Sequence, residues 1–328
     1  MGKLSLKNII SETPIVSVCM ITYNQASYIC EAIEGVLMQK TNYPFELIIS
    51  DDCSQDETRS ICIDYKKRYP DKVKLFFPKQ NLGISENFYS TLFNATGKYI
   101  AFCEGDDYWI DPCKIQHQVD FLESNLDVGC VYTDFNMYHQ QTDDMELSLF
   151  HTRPEHFPLH TTLESFICHP LYVAPCTWMF RKELLVQPPF HSVDATFMLF
   201  AHMLSQTKIH YLPDTTAVYR DLPESASHTA SLDKLYKRVS GLHMTQIFLV
   251  NLYELPQNSK KIIDEFYYST YLRLITLWGS LEEIKEARFV LKGTKIKLAY
   301  RIRLHILRTR LGRWIVSVYC RRIQKKMI

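Results

Sequence analysis

The sequence contains no glycine-rich phosphate loop. Neither G-x-x-x-x-G-K-[ST] nor G-x-G-x-x-G occurs, so a nucleotide bound here needs its phosphates neutralised in another way. The ten cysteines are scattered and no Cys-x-x-Cys pair is among them. They read as free, buried thiols of a reducing compartment rather than as a disulfide framework. No run of about 18 apolar residues is present to span a bilayer. The opening "MGKLSLKNIISETP" lacks the apolar centre of a secretory signal. Met1-Gly2 suggests myristoylation, but the sixth residue is Leu6 where that motif takes Ser or Thr. A cytoplasmic protein is expected. No internal repeat or low-complexity segment appears.

What is present is a chain of 328 residues, 46% of them apolar and 13% aromatic, which is ample for a large core and argues against disorder. Its formal net charge of +1 conceals an asymmetry. Residues 288–328 hold 13 Lys/Arg and no Asp/Glu, leaving 24 basic against 36 acidic residues before them. The acidic body would repel a phosphate backbone, so nucleic acid is not an expected partner.

Through residue 135, apolar β-rich runs alternate with helix-length segments. The runs are "IVSVCMI" (15–21), "FELIIS" (45–50), "VKLFF" (73–77), "YIAFC" (99–103) and "GCVYTDF" (129–135). Helices are expected near 27–40, 56–69, 84–96 and 112–125. Strands apolar throughout and separated by helices predict an α/β fold, a mostly parallel sheet covered on both faces. In such sheets ligands bind beyond the carboxyl ends of the strands. Three polar sets follow strands there: Thr22-Tyr23-Asn24, Asp51-Asp52-Cys53-Ser54 and Glu104-Gly105-Asp106-Asp107. After a polar connection (136–165), "CTWMFRKELL" (176–185) reads as strand into helix, 194–206 as a helix and 208–212 as a strand. "DLPESASHTASLD" (221–233) has the composition of a lid loop, and the chain reads as helical beyond residue 232.

Three carboxylates in four positions at 104–107 repel one another. They form either a solvated turn or a cation site. Asp106 and Asp107 are hard oxygen ligands suited to a divalent ion that shares a diphosphate. The second acidic strand end at Asp51-Asp52, expected on the same edge, favours the cation.

Four segments carry a resemblance: "VSVCMITYNQASYICEAIEGVLMQ", "ELIISDDCSQDET", "NLGISENF" and "GKYIAFCEGDDYWIDPCKIQHQVDFL". In this order and spacing, over residues 14–135, they resemble the nucleotide-sugar-binding half of family 2 glycosyltransferases. These are inverting enzymes of the A-type, Rossmann-like glycosyltransferase fold. "TWMFRKELL" through "AVYR" (217–220) is similar to the acceptor-side half. The resemblance implies a catalytic domain over 1–231, with acceptor side and lid at 136–231, and a helical region at 232–328. It implies that Thr22, Tyr23, Asn24, Asp51 and Asp52 hold the base and ribose of a nucleotide-sugar donor, expected to be a UDP-sugar. It further implies that Asp107, with Asp106 beside it, binds Mn2+ or Mg2+ on the diphosphate. Glu104 stands where the family usually has Asp.

Asp194 matches the catalytic base, with Val193 in place of the usual preceding Glu. It reads equally as the N-cap of the helix that follows. His228, in the expected lid, either contacts the donor or is a surface histidine. Trp109 and Trp178 either stack on sugar or belong to the core. The tail places Tyr300, Leu304, Leu307, Leu311, Ile315 and Val318 on one helical stripe among arginines. It reads as a peripheral contact with an anionic membrane, or as a helix docked on the body. The expected function is metal-dependent, inverting transfer to a glycan or lipid-linked hydroxyl in surface polysaccharide synthesis, at the inner face of the cytoplasmic membrane. The alternatives are a non-catalytic nucleotide-sugar-binding partner that keeps the fold and, with less support, a nucleotidyltransferase.

Overall fold

In the computed structural model, residues 13–154, 162–169, 174–189, 192, 194–222 and 232–278 are described. His228, Val193 and the basic tail lie outside them. The chain divides into two compact units. One comprises Met1–Leu163 with Leu171–Leu222, and the other Glu164–Pro170 with Pro223–Ile328.

The first unit is built on β1 (Val16–Thr22), α1 (Ile29–Leu37), β2 (Phe45–Asp51), α2 (Thr58–Arg68), β3 (Val73–Phe76), α3 (Ile84–Phe93) and β4 (Tyr99–Phe102). Next come β5 (Tyr108–Trp109), α4 (Lys114–Ser124), β6 (Val128–His139), β7 (Asp144–Glu146) and α5 (Leu149–Thr152). After α6 (Leu163–Cys168), β8 (Met179–Arg181), α7 (Ala195–Gln206) and β9 (Lys208–Asp221) complete the sheet. Strand order is β3-β2-β1-β4-β8-β6-β9-β5, with β7 on β6.

The half formed by β3, β2, β1 and β4 is parallel, as the uniformly apolar strands predict. The other half is mixed: β8 runs antiparallel to both β4 and β6, and β5 antiparallel to β9. β9 extends to Asp221, nine residues beyond the end of the apolar run at 208–212, because parallel pairing with β6 continues through two irregularities near Asp134. Strands as short as β5 and β7 carry no periodicity to read.

The core explains the sheet's order. Val16, Val18 and Met20 of β1 are fully buried at its centre. Phe102, at the end of β4, stacks on Phe88 of α3 and Phe180 of β8, with centroids 5.0 and 5.8 Å away, and meets Trp178 edge-on at 5.9 Å. Trp178 in turn packs on Phe200 of α7 at 4.8 Å. Burying each such ring is worth roughly 1.5–3 kcal/mol. Trp109 and Trp178 are therefore core residues, and neither presents a ring to a sugar.

The second unit joins α6 to α8 (Leu232–Leu252) and α9 (Gln257–Trp278). Gln246 donates to the Ile167 carbonyl at 2.6 Å, and Ser259 donates to Glu164 at 2.5 Å. His243 stacks on Tyr267 at 4.1 Å and bonds Asp264 at 2.8 Å. Among the described residues no helix is long and apolar enough to cross a membrane.

Candidate active site

The parallel register sets Thr22 opposite Asp51. The Asp52 N–H donates to the Thr22 carbonyl at 2.9 Å, and the ladder between β4 and β1 continues past the strand, from Cys103 to Cys19 and from Gly105 to Ile21. All three polar strand ends thus share one edge. The loops leaving β1 and β2 are tied together. Asn24 donates its N–H to Ser54 and accepts from the Gln55 N–H, while Gln25 and Ala26 donate to Thr58 and Asp56. Asn24 and Cys53 hold φ of 53° and 64°, the left-handed region, which Asn tolerates better than most residues.

The expected donor-binding residues separate by exposure. Tyr23 is 47% exposed at the mouth of this edge, whereas Thr22, Asp51 and Asp52 are buried. Thr22 donates to Gln25 at 2.7 Å. Asp51 accepts from Ser54 and pairs with Arg59 at 2.6 Å, and Arg59 lies over the Phe77 ring. Asp52 accepts the Leu82 and Gly83 N–H groups at 2.7 and 2.9 Å. These three build the floor, and the loop 80–83 hangs from one of them.

The acidic turn is tight. An added Cβ on Gly105 would stand 2.5 Å from Gln25 Oε1 and 2.8 Å from Thr22 Oγ1, so glycine lets the turn pass against β1's end. Trp109 anchors the far side of the turn, its indole N–H shared between the Phe102 and Cys176 carbonyls. Glu104 lies two residues past Phe102 in the continued ladder and so shares its face of the sheet. Its Oε2 is buried without a hydrogen-bond partner. Burial first, then the charges of Asp106 and Asp194, push the Glu104 carboxyl up to about 8. Asp107 is driven well above the carboxylate range by burial, Asp106 and Glu104. It faces inward at 2% exposure, where its Oδ1 accepts the Arg220 N–H at 2.9 Å. Asp106 is the more exposed of the pair.

Asp194 is the N-cap of α7: its Oδ1 accepts the Phe197 N–H at 2.9 Å and the Thr196 hydroxyl at 2.7 Å. Ser85 donating to the Ser192 carbonyl and Tyr89 to the Ala195 carbonyl fasten this helix start to α3. The charge of Asp194 is felt at both Glu104 and Tyr89, so the cap belongs to the electrostatic surroundings of the acidic turn. The sequence reading missed Arg59, Gln25 and Arg220. Arg220 alone left a usable signal, a charge two residues beyond the apolar pair Ala217-Val218.

No three His, Cys, Asp or Glu side chains among the described residues converge closely enough to hold a metal by themselves. The unpartnered Glu104 oxygen and the mutual repulsion at 104–107 nevertheless fit a hard cation that takes its other ligands from phosphate and water.

Comparison with known proteins agrees with this architecture. An uncharacterized protein of Mycobacterium tuberculosis (H37Rv) is 31% identical over 224 residues, 66% of this chain and 62% of its own length. The chain thus spans about six-tenths of that relative. TuaG of Bacillus subtilis, named for teichuronic acid biosynthesis, is 30% identical over 154 residues, 47% of this chain and 59% of its own. Among solved structures, Staphylococcus aureus TarS 1–349 with UDP matches with a TM-score of 0.52 at 17% identity, over 89% of this chain and 78% of that one. The mannosyltransferase PcManGT of Pyrobaculum calidifontis, with GDP-Man and Mn2+, matches at 0.53 and 16%, over 93% and 87%. These likenesses show the fold, the curled α/β sheet of A-type glycosyltransferases. Residues 17–187, just over half the chain, match the profile described as glycosyl transferase family 2, and the chain belongs to that family.

Proposed function

We propose that the protein transfers a sugar from a nucleoside diphosphate, UDP in the first instance, to a hydroxyl of a glycan or lipid-linked acceptor, with inversion. The observation that carries this reading is an acidic turn that feels the charge of Asp194: a carboxylate at a helix start, and an edge whose own carboxylates repel one another. Asp194 Oδ1 is used by the cap, which leaves Oδ2 to take the proton of an acceptor hydroxyl as that oxygen attacks the anomeric carbon. The bond from that carbon to the diphosphate oxygen breaks in the same displacement, and a nucleoside diphosphate departs. A bound Mn2+ or Mg2+ would supply charge stabilisation to the departing diphosphate. Asp106, more exposed than Asp107, is the ligand best placed to hold it with Glu104, while Asp107 holds the turn from within.

Tyr23 offers a ring for the base above the floor made by Thr22, Asp51 and Asp52, and Asn24 shapes the loop beside it. PcManGT supports a divalent metal and TarS supports UDP, each by what it binds. The name of TuaG and the basic tail support an acceptor in surface polysaccharide synthesis at the inner face of the cytoplasmic membrane.

Calorimetric titration of UDP, then GDP, with and without Mn2+, tests the donor site. Binding that requires the metal and is lost in Asp106→Ala is the expected result. Binding indifferent to both, or none with either nucleotide, would overturn the reading. Asp106 is chosen over Asp107 because removing the buried Asp107 carboxylate would also release the turn.

A further inference from the structure

Arg220 lies near the end of β9 and is 6% exposed, and it bonds the acidic turn and the residues around it. β5 pairs antiparallel with β9, Tyr108 opposite Val218, and two residues further along that register Arg220 comes opposite Asp106. Its main-chain N–H donates to Asp107 Oδ1 at 2.9 Å, and its Nε donates to the Asp106 carbonyl at 2.9 Å. The guanidinium's other two nitrogens donate outward, Nη1 to Gln140 Oε1 at 3.2 Å and Nη2 to Glu31 Oε2 at 2.5 Å. Three tyrosine rings enclose it: Tyr28 before α1, Tyr108 of β5 and Tyr138 of β6, at 5.0, 5.1 and 5.6 Å from the guanidinium carbon. The cage therefore draws on separate stretches of one unit.

We infer that Arg220 is a positioning residue: it fixes the Asp106-Asp107 turn in the geometry that presents Asp106 to a metal-bound diphosphate. This rests on the proposed donor site. The guanidinium lies among three rings and the Glu31 carboxylate, and its own hold on the turn is the Nε bond to the Asp106 carbonyl, while the bond to Asp107 is made by the main-chain N–H. Only a planar fork serves all three directions at once, since Nε, Nη1 and Nη2 point to the turn, to Gln140 and to α1. An ammonium could replace the charge but not this geometry. Arg220 is also the next-to-last residue of β9.

The test uses the full chain and two readouts. The first is amide hydrogen exchange in the peptide spanning 103–109, without ligand. The second is the Mn2+ concentration for half-maximal UDP binding. In Arg220→Ala, exchange of this peptide is expected to rise roughly tenfold while β1 and β2 keep their protection. The Mn2+ requirement should rise by about the same factor. Arg220→Lys is expected to fall between wild type and Arg220→Ala. Glu31→Gln leaves Arg220 in place but weakens its anchor, and should move both readouts the same way by about twofold. It keeps the test open if Arg220→Ala fails to fold. Unchanged exchange in Arg220→Ala and Glu31→Gln would overturn the inference. So would unchanged exchange with UDP binding lost, which would place Arg220 on the nucleotide itself. If the wild type binds neither UDP nor GDP, the donor reading falls, and exchange alone still decides for or against Arg220.

Discussion

Asp52 holds Gly83 and its neighbour across 31 residues of chain, the Gly83 N–H reaching Oδ2 at 2.9 Å and the Leu82 N–H reaching Oδ1 at 2.7 Å. Asn81 adds a bond from its side chain to the Asp52 carbonyl at 2.9 Å. An ionised acceptor serving two main-chain donors is among the stronger hydrogen-bonding arrangements. Gly83 itself holds φ 80° and ψ 164°, a conformation open essentially to glycine. Asp52→Asn would turn an NH2 toward one of these N–H groups. A stability loss of about 1–3 kcal/mol is expected from urea unfolding. Stability unchanged with nucleotide binding lost would instead make Asp52 a direct contact of the ribose.

Asp194 separates structure from chemistry because Asn is as good an N-cap as Asp. In Asp194→Asn the amide oxygen still accepts the Phe197 N–H, so the melting temperature is expected to stay near that of wild type. Transfer should fall by about a hundredfold or more, since an amide takes no proton. UDP binding should persist. If transfer survives, the base lies elsewhere. If there is no transfer to abolish while UDP still binds, the chain is a nucleotide-sugar-binding protein that keeps the fold.

Much of this was legible in the sequence, for identifiable reasons. The parallel half showed itself because β1, β2 and β4 are buried on both faces and so read as near-continuous apolar runs, with Ser17 and Glu46 inside them bonded to each other. The three polar strand ends met on one edge because parallel strands end together. The mixed half was harder to read. β8 is three residues long, and the second half of β9 opens on Pro213, Asp214 and Thr215, of which Pro and Asp are poor strand formers. Parallel partnership with β6 overrides that local preference. Spacing could not rank the carboxylates either. Asp106 and Asp107 are adjacent in sequence, yet one is partly exposed and the other is turned inward onto Arg220, a partner 113 residues away.

Gly105 gives a steric test of the turn. A methyl group there would meet Gln25 Oε1 at 2.5 Å and Thr22 Oγ1 at 2.8 Å, and Thr22 and Gln25 are themselves bonded to each other. Gly105→Ala is expected to displace Gln25 and the turn together, weakening Mn2+-dependent UDP binding by roughly tenfold for a stability cost of about 1–3 kcal/mol. Gln25→Ala in the same chain should restore part of the binding by making room. Failure of that rescue would show that Thr22, on β1, is the obstacle.

Lys114 offers a pH signature. Its amine is fully buried at the start of α4, donating to Gln118 at 3.0 Å and to the Thr177 carbonyl at 2.9 Å, with the Trp109 ring 5.1 Å away. Burial pushes the Lys114 amine down to about 7. In the unfolded chain it titrates near the ordinary lysine value of about 10.4. Below pH 7 both states hold the proton, and the contribution is flat. From about pH 7 upward the unfolded chain keeps a proton that the folded chain releases, so stability from this residue rises with pH. Lys114→Met removes the titration and leaves the Thr177 carbonyl bonded to Gln118 at 2.8 Å, but it takes the donor from the buried Gln118 Oε1, a cost that does not vary with pH. Relative to wild type, the variant is expected to do best at about pH 6.5 and to lose ground toward about pH 9, on top of a constant offset from Gln118. Urea midpoints of both proteins across that range measure the difference. A gap that stays constant with pH would show that Lys114 keeps its charge in the folded protein throughout.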